Sequence, residues 1–392
     1  MGMFGVLRTR QKAPGQSQHL LLYIITFAAP IIAPIATLHH VGEAPLESLA
    51  SCRLPGFDHP GRENACIIML ARNSDRSDVL RTLQTFDPTF NARYRYPYVF
   101  FNQEPFDTAF RDAVTNATQA VVYFELIPPE QWSIPPHYNQ TAVLNSFKKQ
   151  GQERPGLKAE FENYHHMCRY YSGYFATHHA LKRFKYYWRI EPDVTYFCTL
   201  AYDPFALMRR WNKTYGFNVV GIEALWTVPT LWSTVLEYLS TRNRTYPEHL
   251  RAFDRKSGES PDVLSAFNYH YFFDNFEIAD LDFFRSDEYQ DYFRFLDDRG
   301  GFYFERWGDA AVHTLGVAMF LKPSQIHYFN DIGYRHGRHV HCPVDIPKYK
   351  VTFDNCNCRD LMPKTNPDAY LTDSWWDEAL KHYLRLVPEL DR

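Results

Sequence analysis

Two carboxylates close an aromatic run in the middle of the chain. The segment Tyr186-Tyr-Trp-Arg-Ile-Glu-Pro-Asp193 is typical of a strand that ends at Glu191 and Asp193. Pro192 cannot continue the ladder of a central strand, so both acids should lie at the strand's carboxyl end. Open α/β sheets bind ligands at that edge, and two acids there suit a divalent cation that neutralises a diphosphate. A turn in which Asp193 caps a following helix is the plainer alternative.

Acidic residues also interrupt a second aromatic run, NYHYFFDNFEI at 268–278. A carboxylate among phenylalanines is partly desolvated, which raises its pKa and suits it to acid–base or nucleophilic chemistry. Phe273, Phe276 and Glu277 are spaced i, i+3 and i+4, so on a helix Glu277 would share a face with aromatic rings. An amphipathic helix with its acids in water is the alternative.

Three other segments supply further candidate residues. In RWGDAAVH (306–313), Asp309 and His313 lie four residues apart and can meet on a helix, as metal ligands or as an ordinary charge pair. His336 is a candidate ligand, although a histidine is more often a surface or core residue. Arg72 follows an early strand, where a guanidinium can hold a phosphate bidentately. The sequence has no Gly-x-Gly-x-x-Gly or Walker motif, which excludes the usual dinucleotide and P-loop sites.

The elements that must position these residues alternate in type along the chain. Short apolar runs predict strands at 65–70, 96–101, 120–126, 186–190 and 219–222. Helices are predicted at 76–86 and 164–183, and loops at 128–136 and 150–156. This alternation predicts an α/β sandwich with a largely parallel sheet in one large catalytic domain.

The amino-terminal segment has the pattern of a type II signal anchor. Basic residues without an acid precede an uncharged apolar stretch about as long as a bilayer is thick. Four segments follow from this pattern: a cytoplasmic tail (1–19), a transmembrane anchor (20–38), a stem (39–62) and a lumenal catalytic domain (63–392). Pro30 and Pro34 would kink the span, and a cleaved signal peptide or a buried core helix are the alternatives.

Composition excludes several classes of protein. The 392 residues carry a net charge of −3 and are 45% hydrophobic and 17% aromatic, which excludes a basic nucleic-acid binder and a disordered chain. The seven cysteines are too dispersed for a zinc cluster, and their odd number leaves at least one unpaired or intermolecular. Disulfides from Cys342, Cys356 or Cys358 agree with a secretory route. Four sequons would matter in a lumenal domain, and they begin at Asn116, Asn139, Asn212 and Asn243.

The chain resembles the fungal GDP-mannose-dependent α-1,2-mannosyltransferases, glycosyltransferase family 15. Seven segments carry the resemblance in family order: ACIIMLARNSD (65–75), YPYVFFNQEPF (96–106), YHHMCRYYSGYF (164–175), YYWRIEPDVTYFCTL (186–200), DNFEIADLDFFRS (274–286), ERWGDAAVH (305–313) and IHYFNDIGYRH (326–336). The resemblance implies a GT-A-like, Rossmann-type nucleotide-sugar-binding fold, a divalent metal that is usually manganese, and GDP-mannose as donor. It also implies retaining transfer to mannosyl acceptors on N-linked or O-linked glycoprotein glycans, by a type II protein of the Golgi membrane.

The same resemblance assigns donor and metal residues. The E-P-D sequence takes the place of the common D-x-D motif, which implies that Glu191 faces the metal and diphosphate and that Asp193 faces the donor site. His336 is the implied protein ligand of the metal. Arg72 and Tyr164 fall at donor-site positions.

The catalytic residues implied by the resemblance come from a signature that has diverged. Glu277 matches the proposed nucleophile, and Asp309 an alternative catalytic base or a water-mediated partner of the metal. The family signature is approximately Y-N-x-C-H-F-W-S-N-F-E-I, whereas here Tyr271 replaces His, Phe273 replaces Trp and Asp274 replaces Ser. These departures indicate a divergent branch, for which the resemblance leaves the acceptor preference and the linkage open.

Several functions compete with this interpretation. Mannosylphosphate transfer would use the same donor, with the acceptor attacking phosphorus instead of carbon. A lumenal lectin or chaperone could keep the fold without turnover, although such a protein would not require all of Glu191, Glu277, Asp309 and His336. A metal-dependent glycosidase ranks last, because no carboxylate pair has a recognisable hydrolase context.

Overall fold

The structure is a computed structural model, and it describes residues 62–153, 155–156, 158–254, 267–337 and 339–343 together with Cys356, Cys358 and Tyr383. The predicted tail and anchor, and all but the last residue of the predicted stem, lie outside the described residues. Among the residues that are described, no helix has the length and apolar character needed to cross a bilayer.

The strands of the described residues form one large sheet and two small ones. Their bounds are β1 Ala65–Leu70, β2 Tyr98–Asn102, β3 Val122–Leu126, β4 Tyr186–Arg189, β5 Val194–Tyr196, β6 Tyr215–Phe217, β7 Val220–Ile222, β8 His270–Phe272, β9 Glu277–Asp280, β10 Ile326–Tyr328, β11 Tyr334–His336 and β12 His339–His341. The large sheet has the order β10-β6-β9-β4-β1-β2-β3, and only β9 runs antiparallel to its neighbours. The small sheets are β12-β11-β5 and β7-β8, both antiparallel. The prediction of a largely parallel sheet is therefore confirmed.

Helices cover both faces of the large sheet. Among the described residues, the α-helices of five or more residues are α1 Arg76–Phe86, α2 Thr108–Ala117, α3 Gln140–Glu153, α4 Glu162–Arg169, α5 Pro204–Arg210, α6 Leu231–Thr241, α7 Leu281–Arg285, α8 Asp287–Arg299 and α9 Asp309–Phe320. Short helical turns join them at Asn73–Asp75, Asp87–Asn91, Ala92–Tyr94, Pro129–Gln131, Tyr170–Tyr174, Phe175–Thr177, His179–Leu181, Leu225–Thr227, His249–Phe253, Gly301–Phe304 and Pro323–Gln325. The first predicted helix, 76–86, agrees residue for residue with α1.

Two hydrophobic cores lie on opposite faces of the sheet. In β1, Ile67 and Met69 pack into the core under α1, α2 and α5, whereas Cys66 and Ile68 pack into the core under α3, α4, α6, α8 and α9. Successive side chains of a strand point to opposite faces, so a sheet that is covered on both faces needs a continuous apolar run. The ACIIML sequence of β1 has this pattern.

The helix predicted over 164–183 is interrupted, and that part of the prediction is wrong. α4 ends at Arg169, and a π-helical turn at Tyr170–Tyr174 follows. At His178 the backbone becomes extended, and the His178 ring accepts a hydrogen bond from the Ala180 N–H. This local bond starts a new turn, so the original helix cannot continue.

Two other local predictions differ from the structure. Residues 150–153, predicted as loop, form the last turn of α3. The helical spacing considered for 268–278 is wrong, because the segment forms β8, a turn and the start of β9. On strand β9 neighbouring side chains separate: Phe276 packs against Trp188 on one face of the sheet, and Glu277 contacts Tyr187 on the other.

Two disulfides fasten the small β12-β11-β5 sheet. Cys198, just after β5, bonds Cys356, and Cys342, just after β12, bonds Cys358, which confirms the three cysteines favoured from the sequence. Gly333 packs directly on this region, since a Cβ there would lie 2.5 Å from the Cys198 Sγ. Cys66 and Cys168 are free and buried.

Candidate active site

Arg189 organises a buried set of carboxylates at the carboxyl end of β4. Its Nε donates to Glu191 Oε1 at 2.7 Å, and its Nη1 donates to Asp274 Oδ2 at 3.0 Å and to Asp309 Oδ2 at 2.6 Å. The guanidinium carbon lies 3.6 Å from the centre of the Tyr171 ring. Arg189 itself is only 2% exposed. We call Arg189, Glu191, Asp274 and Asp309 the Arg189 cluster.

The two acids of the E-P-D turn lie in different environments, one largely buried and one exposed to solvent. Glu191 stays beside Arg189 with a side chain that is 14% exposed, and burial raises its pKa while Arg189 acts to lower it. Asp193 is 58% exposed and accepts from Arg81 Nη2 at 3.0 Å, and Arg81 also pairs with Asp78. We call Arg81, Asp78 and Asp193 the Arg81 cluster. The prediction that both acids lie at the sheet edge is confirmed.

The backbone at Asp193 is unusual for its residue type. Its φ of +62° lies in the left-handed region, which costs a residue other than glycine about 1 kcal/mol or more. Helix α1 holds this conformation, because the Asp193 N–H donates to the Asp78 carbonyl and the Thr82 hydroxyl donates to the Glu191 carbonyl. Such conformations persist where the surrounding structure fixes them, often at functional sites.

Asp274 and Asp309 meet at Arg189, where Oδ2 of each accepts from the same nitrogen, Nη1, at 3.0 and 2.6 Å. Both are buried. Burial raises the pKa of Asp274 well above its usual value, in spite of the opposing effect of Arg189. Burial also acts to raise the pKa of Asp309, but the neighbouring Arg189 guanidinium holds it below its usual value.

Glu277 lies behind this cluster and is 0% exposed. Tyr187 Oη donates to one of its oxygens, and His313 Nδ1 lies 2.8 Å from the other. His313 Nε2 lies 2.8 Å from the Tyr171 carbonyl oxygen, so the ring donates there and a second proton is shared between His313 and Glu277. A sugar can reach this carboxylate only after its neighbours move, and the role of Glu277 as nucleophile stays a prediction.

Tyr164 lies in a second polar group on the same side of the sheet as Arg189. Arg306 Nη1 donates to the Tyr164 hydroxyl at 2.8 Å, and Arg306 Nη2 donates to Glu223 Oε1 at 3.0 Å. The rings of Tyr164 and Trp226 lie 5.3 and 5.9 Å from the Arg306 guanidinium carbon. Burial raises the pKa of Tyr164 well above its usual value, so its phenol keeps its proton. Aromatic faces beside fixed polar groups suit a sugar, which presents both C–H and hydroxyl surfaces.

Arg72 lies where the sequence predicts it, just beyond the end of β1. Because β1 and β4 are parallel neighbours, Arg72 and Glu191 lie at the same edge of the sheet. The Arg72 side chain is 67% exposed and pairs with Asp75 through Nε and Nη2, at 3.0 and 2.8 Å. A guanidinium held in this way remains open to a phosphate from solvent.

His336 ends β11, and its backbone lies opposite Val194 of β5. This register brings His336 beside Val194, the residue that follows Asp193. The centre of the His336 ring lies 6.1 Å from the centre of the Phe273 ring. One imidazole and one carboxylate fit a manganese ion whose other ligands come from a diphosphate and water. Glu191 can serve because Arg189 occupies its Oε1 and leaves Oε2 for a cation.

Other groups of possible metal ligands in the described residues are already engaged. Two groups of three have ligand atoms within 4.8 Å of one another: Glu125, His178 and His179, and Asp274, Glu277 and His313. Both ring nitrogens of His178 are bonded to backbone atoms, and both ring nitrogens of His313 face oxygen acceptors. Neither group contains His336.

Sequence reasoning missed the residues that organise the site. Arg189 was visible as the one basic residue inside an aromatic strand, where burial demands a partner, yet its role was not recognised. Arg306 begins the RWGDAAVH segment, in which the spacing pointed only to Asp309 and His313, and Glu223 comes from a segment with no distinctive spacing. Tyr171 lies in the π-helical turn, a feature frequent at functional sites that the helix periodicity did not reveal.

Comparison with known proteins identifies close relatives. A family model described as glycolipid 2-alpha-mannosyltransferase matches residues 40–378. An O-glycoside alpha-1,2-mannosyltransferase, omh1 of Schizosaccharomyces pombe, is 40% identical over 297 residues, 76% of this chain and 74% of the relative. A glycolipid 2-alpha-mannosyltransferase of Saccharomyces cerevisiae is 39% identical over 310 residues, 78% of this chain and 67% of the relative.

Solved structures resemble the fold over most of its length. Core-mannan synthase A (CmsA/Ktr4) from Aspergillus fumigatus, in its Mn/GDP form, matches with a TM-score of 0.75 and 33% identity over 86% of this chain and 90% of that one. The mannosyltransferase Ktr4p from S. cerevisiae in complex with GDP matches with a TM-score of 0.74 and 32% identity over 84% of both chains. These likenesses confirm the predicted GT-A-like fold.

Proposed function

Because the chain belongs to the glycolipid 2-alpha-mannosyltransferase family, glycosyltransferase family 15, we propose that it transfers mannose from GDP-mannose to mannosyl acceptors on N-linked or O-linked glycans, with retention and as α-1,2 linkages. The observation that carries this proposal is the Arg189 cluster at the carboxyl edge of the sheet. The cluster gathers three carboxylates around one guanidinium at an edge where open α/β sheets bind ligands, in a fold shared with a Mn/GDP-bound mannosyltransferase.

The metal and donor residues follow from their positions. Glu191 and His336 would hold the manganese ion, which neutralises the diphosphate leaving group when bound. Arg72, exposed at the same edge, would bind a phosphate oxygen. Tyr164, Arg306 and Glu223 would orient a sugar through its hydroxyl groups, since their own hydrogen bonds fix them in place.

Two mechanisms would retain the configuration at the anomeric carbon, and these residues could serve either one. A double displacement needs a carboxylate about 3–3.5 Å from the anomeric carbon. Glu277 meets this requirement only after movement, because it is fully buried against Tyr187 and His313. In the front-face route the acceptor hydroxyl enters beside the departing diphosphate, with the carboxylate of Asp309 stabilising the cationic sugar.

A lumenal location in the Golgi, with residues 20–38 as anchor, is part of the proposal. Two disulfides support it, since they persist in oxidising compartments. The asparagines of all four sequons are exposed, at Asn116, Asn139, Asn212 and Asn243. Full-length chain made in a secretory host should gain mobility on glycosidase treatment, and a chain lacking the four asparagines should not. An unchanged mobility of the native chain would count against lumenal exposure.

Product analysis tests the function. Full-length chain in detergent is incubated with GDP-mannose, Mn²⁺ and methyl α-mannoside, and the product is identified by mass and NMR. A manganese-dependent α-1,2-linked dimannoside supports the proposal. A product that contains phosphate would instead identify a mannosylphosphate transferase, and GDP binding without any product over a panel of glycan acceptors would identify a binding protein.

Two substitutions separate catalysis from donor binding in this assay. Glu277→Gln should abolish transfer while leaving manganese-dependent GDP binding nearly unchanged, because Glu277 is fully buried and its oxygens contact Tyr187 and His313. His336→Ala should weaken that binding, which calorimetry measures directly. Normal turnover by Glu277→Gln would remove Glu277 as the nucleophile and leave the front-face route.

A further inference from the structure

His313 is a buried histidine to which the proposed mechanism gives no role of its own. It lies on α9 one turn after Asp309, so the two side chains share a face of the helix. The ring is 0% exposed, and its centre lies 4.5 Å from that of Phe284 and 5.8 Å from that of Phe175. This aromatic packing fixes the plane of the ring and therefore the directions in which its two nitrogens point.

Each ring nitrogen of His313 joins α9 to a different element. Nε2 lies 2.8 Å from the carbonyl oxygen of Tyr171 in the π-helical turn, and Nδ1 lies 2.8 Å from Oε2 of Glu277 on β9. A carbonyl oxygen can only accept, so Nε2 carries a hydrogen and donates it to Tyr171. The histidine thus connects three elements that surround the Arg189 cluster.

The π-helical turn explains why the Tyr171 carbonyl accepts from a side chain. In an α-helix the Phe175 N–H would bond the carbonyl four residues back, at Tyr171, but here it bonds the Tyr170 carbonyl. The Tyr171 carbonyl therefore loses its α-helical donor and accepts from His313. The ring of Tyr171 lies 3.6 Å from the guanidinium carbon of Arg189, so the position of this backbone also determines what covers Arg189.

We propose that His313 is a positioning residue for transfer, and that its Nε2–H bond to Tyr171 holds the tyrosine ring over Arg189. The contacts form a closed loop, because Arg189 Nη1 in turn donates to Asp309 at 2.6 Å, and Asp309 begins the helix that carries His313. Packing and hydrogen bonds around a site in this way hold its reacting groups in one geometry. The inference rests on the proposed function only for its effect on turnover.

Two substitutions separate the two bonds of the histidine. The amide nitrogen of Gln replaces Nε2 and that of Asn replaces Nδ1, so His313→Gln keeps a donor for Tyr171 and His313→Asn keeps one for Glu277. We expect His313→Asn to lower kcat by roughly 10–100-fold, because the site loses its geometry, and His313→Gln to retain kcat to within about 3-fold. KM for GDP-mannose should change little in both, since a residue that is 0% exposed cannot contact the donor. Equal kcat values for the two variants would overturn the role of the Tyr171 bond.

His249 offers a matched control at the opposite end of α9. Its ring is also buried, with Nδ1 at 3.3 Å from the carbonyl oxygen of Leu321, just after the helix, and Nε2 at 2.8 Å from Tyr383 Oη. His249→Asn should lower the urea midpoint and leave kcat unchanged. A loss of kcat as large as that in His313→Asn would show that any loosening of α9 has the same effect, and would overturn the specific role of His313.

Nuclear magnetic resonance tests the bond without an assay of activity. Full-length chain with isotope-labelled histidine should show a slowly exchanging N–H signal on Nε2 that is absent from His313→Gln, because a buried, hydrogen-bonded proton is protected from water. Couplings to the ring protons distinguish Nε2 from Nδ1. If wild type and His313→Gln show the same Nε2–H signals, His313 does not donate to Tyr171, and the proposal is wrong whatever the enzyme transfers.

Discussion

The Arg189 cluster and the Arg81 cluster flank the same turn and are built from the same residue types, yet they differ in their access to water. Arg189, Asp274 and Asp309 are buried on the α9 side of the sheet, and the Glu191 side chain is only 14% exposed. Arg81 and its two acids are exposed on the α1 side. The comparison shows that at this sheet edge burial, rather than residue type, decides which charges are fixed in one geometry.

The physical reason is the cost of removing charge from water. A buried ion pair that loses one partner leaves an uncompensated charge, whereas an exposed pair exchanges its partner for solvent at little cost. The buried cluster can therefore hold a fixed arrangement for catalysis. Arg72, whose pair with Asp75 is also exposed, can release that pair to an incoming diphosphate.

Removing Arg189 should have the largest effect. Arg189→Ala leaves three acids without their cation, and we expect a loss of about 3–5 kcal/mol in the free energy of unfolding. Transfer should fall by at least about 100-fold, because the carboxylates lose their orientation. Urea denaturation and the product assay measure the two effects. Arg242→Ala is the control at an exposed pair, and an unfolding midpoint for Arg189→Ala equal to that of this control would break the contrast between the clusters.

Removing Arg72 should have an intermediate effect that is confined to the donor. Arg72→Ala should weaken GDP binding about 10-fold, as expected for loss of a charge-assisted hydrogen bond. The urea midpoint should not change, since the Arg72 side chain is largely exposed. Calorimetry with GDP and Mn²⁺ measures the affinity, and a normal affinity would exclude Arg72 from the phosphate site.

Removing Arg81 should have the smallest effect. Arg81→Ala breaks pairs with Asp78 and Asp193 that are already in water. We expect an unchanged urea midpoint, and no more than a slight change in KM for GDP-mannose. A clear loss of stability in this variant would show that the left-handed Asp193 depends on Arg81 as well as on the backbone of α1.

The sheet and its edge could be predicted because local sequence determines them. The apolar run ACIIML predicts β1, and Pro192 predicts the end of β4, so the positions of Arg72, Glu191 and Asp193 followed from strand geometry alone. The resemblance supplied His336, which no spacing identifies, because β11 approaches β5 only through tertiary pairing.

The buried part of the site, around Asp274 and Asp309, could not be predicted because it also depends on tertiary packing. Asp274 and Asp309 are brought together by the packing of α9 on β4 and β9, a long-range arrangement that leaves no local periodicity. Glu277 was interpreted with helical spacing, whereas its strand directs it away from Phe276. Over so short a segment, the two-residue alternation of a strand cannot be distinguished from the three- to four-residue spacing of a helix.

The disulfides of the small sheet set an order of events during synthesis. Residues for β1, β2 and β3 leave the ribosome first, and this parallel half can pair before the rest of the chain exists. Cys356 and Cys358 emerge after all the strands described, and until they are oxidised the hairpin that carries His336 is held to β5 by backbone hydrogen bonds without a covalent link. The predicted metal ligand is thus among the last parts of the enzyme to be fixed, so a nascent chain can fold its sheet well before it can bind a nucleotide sugar productively.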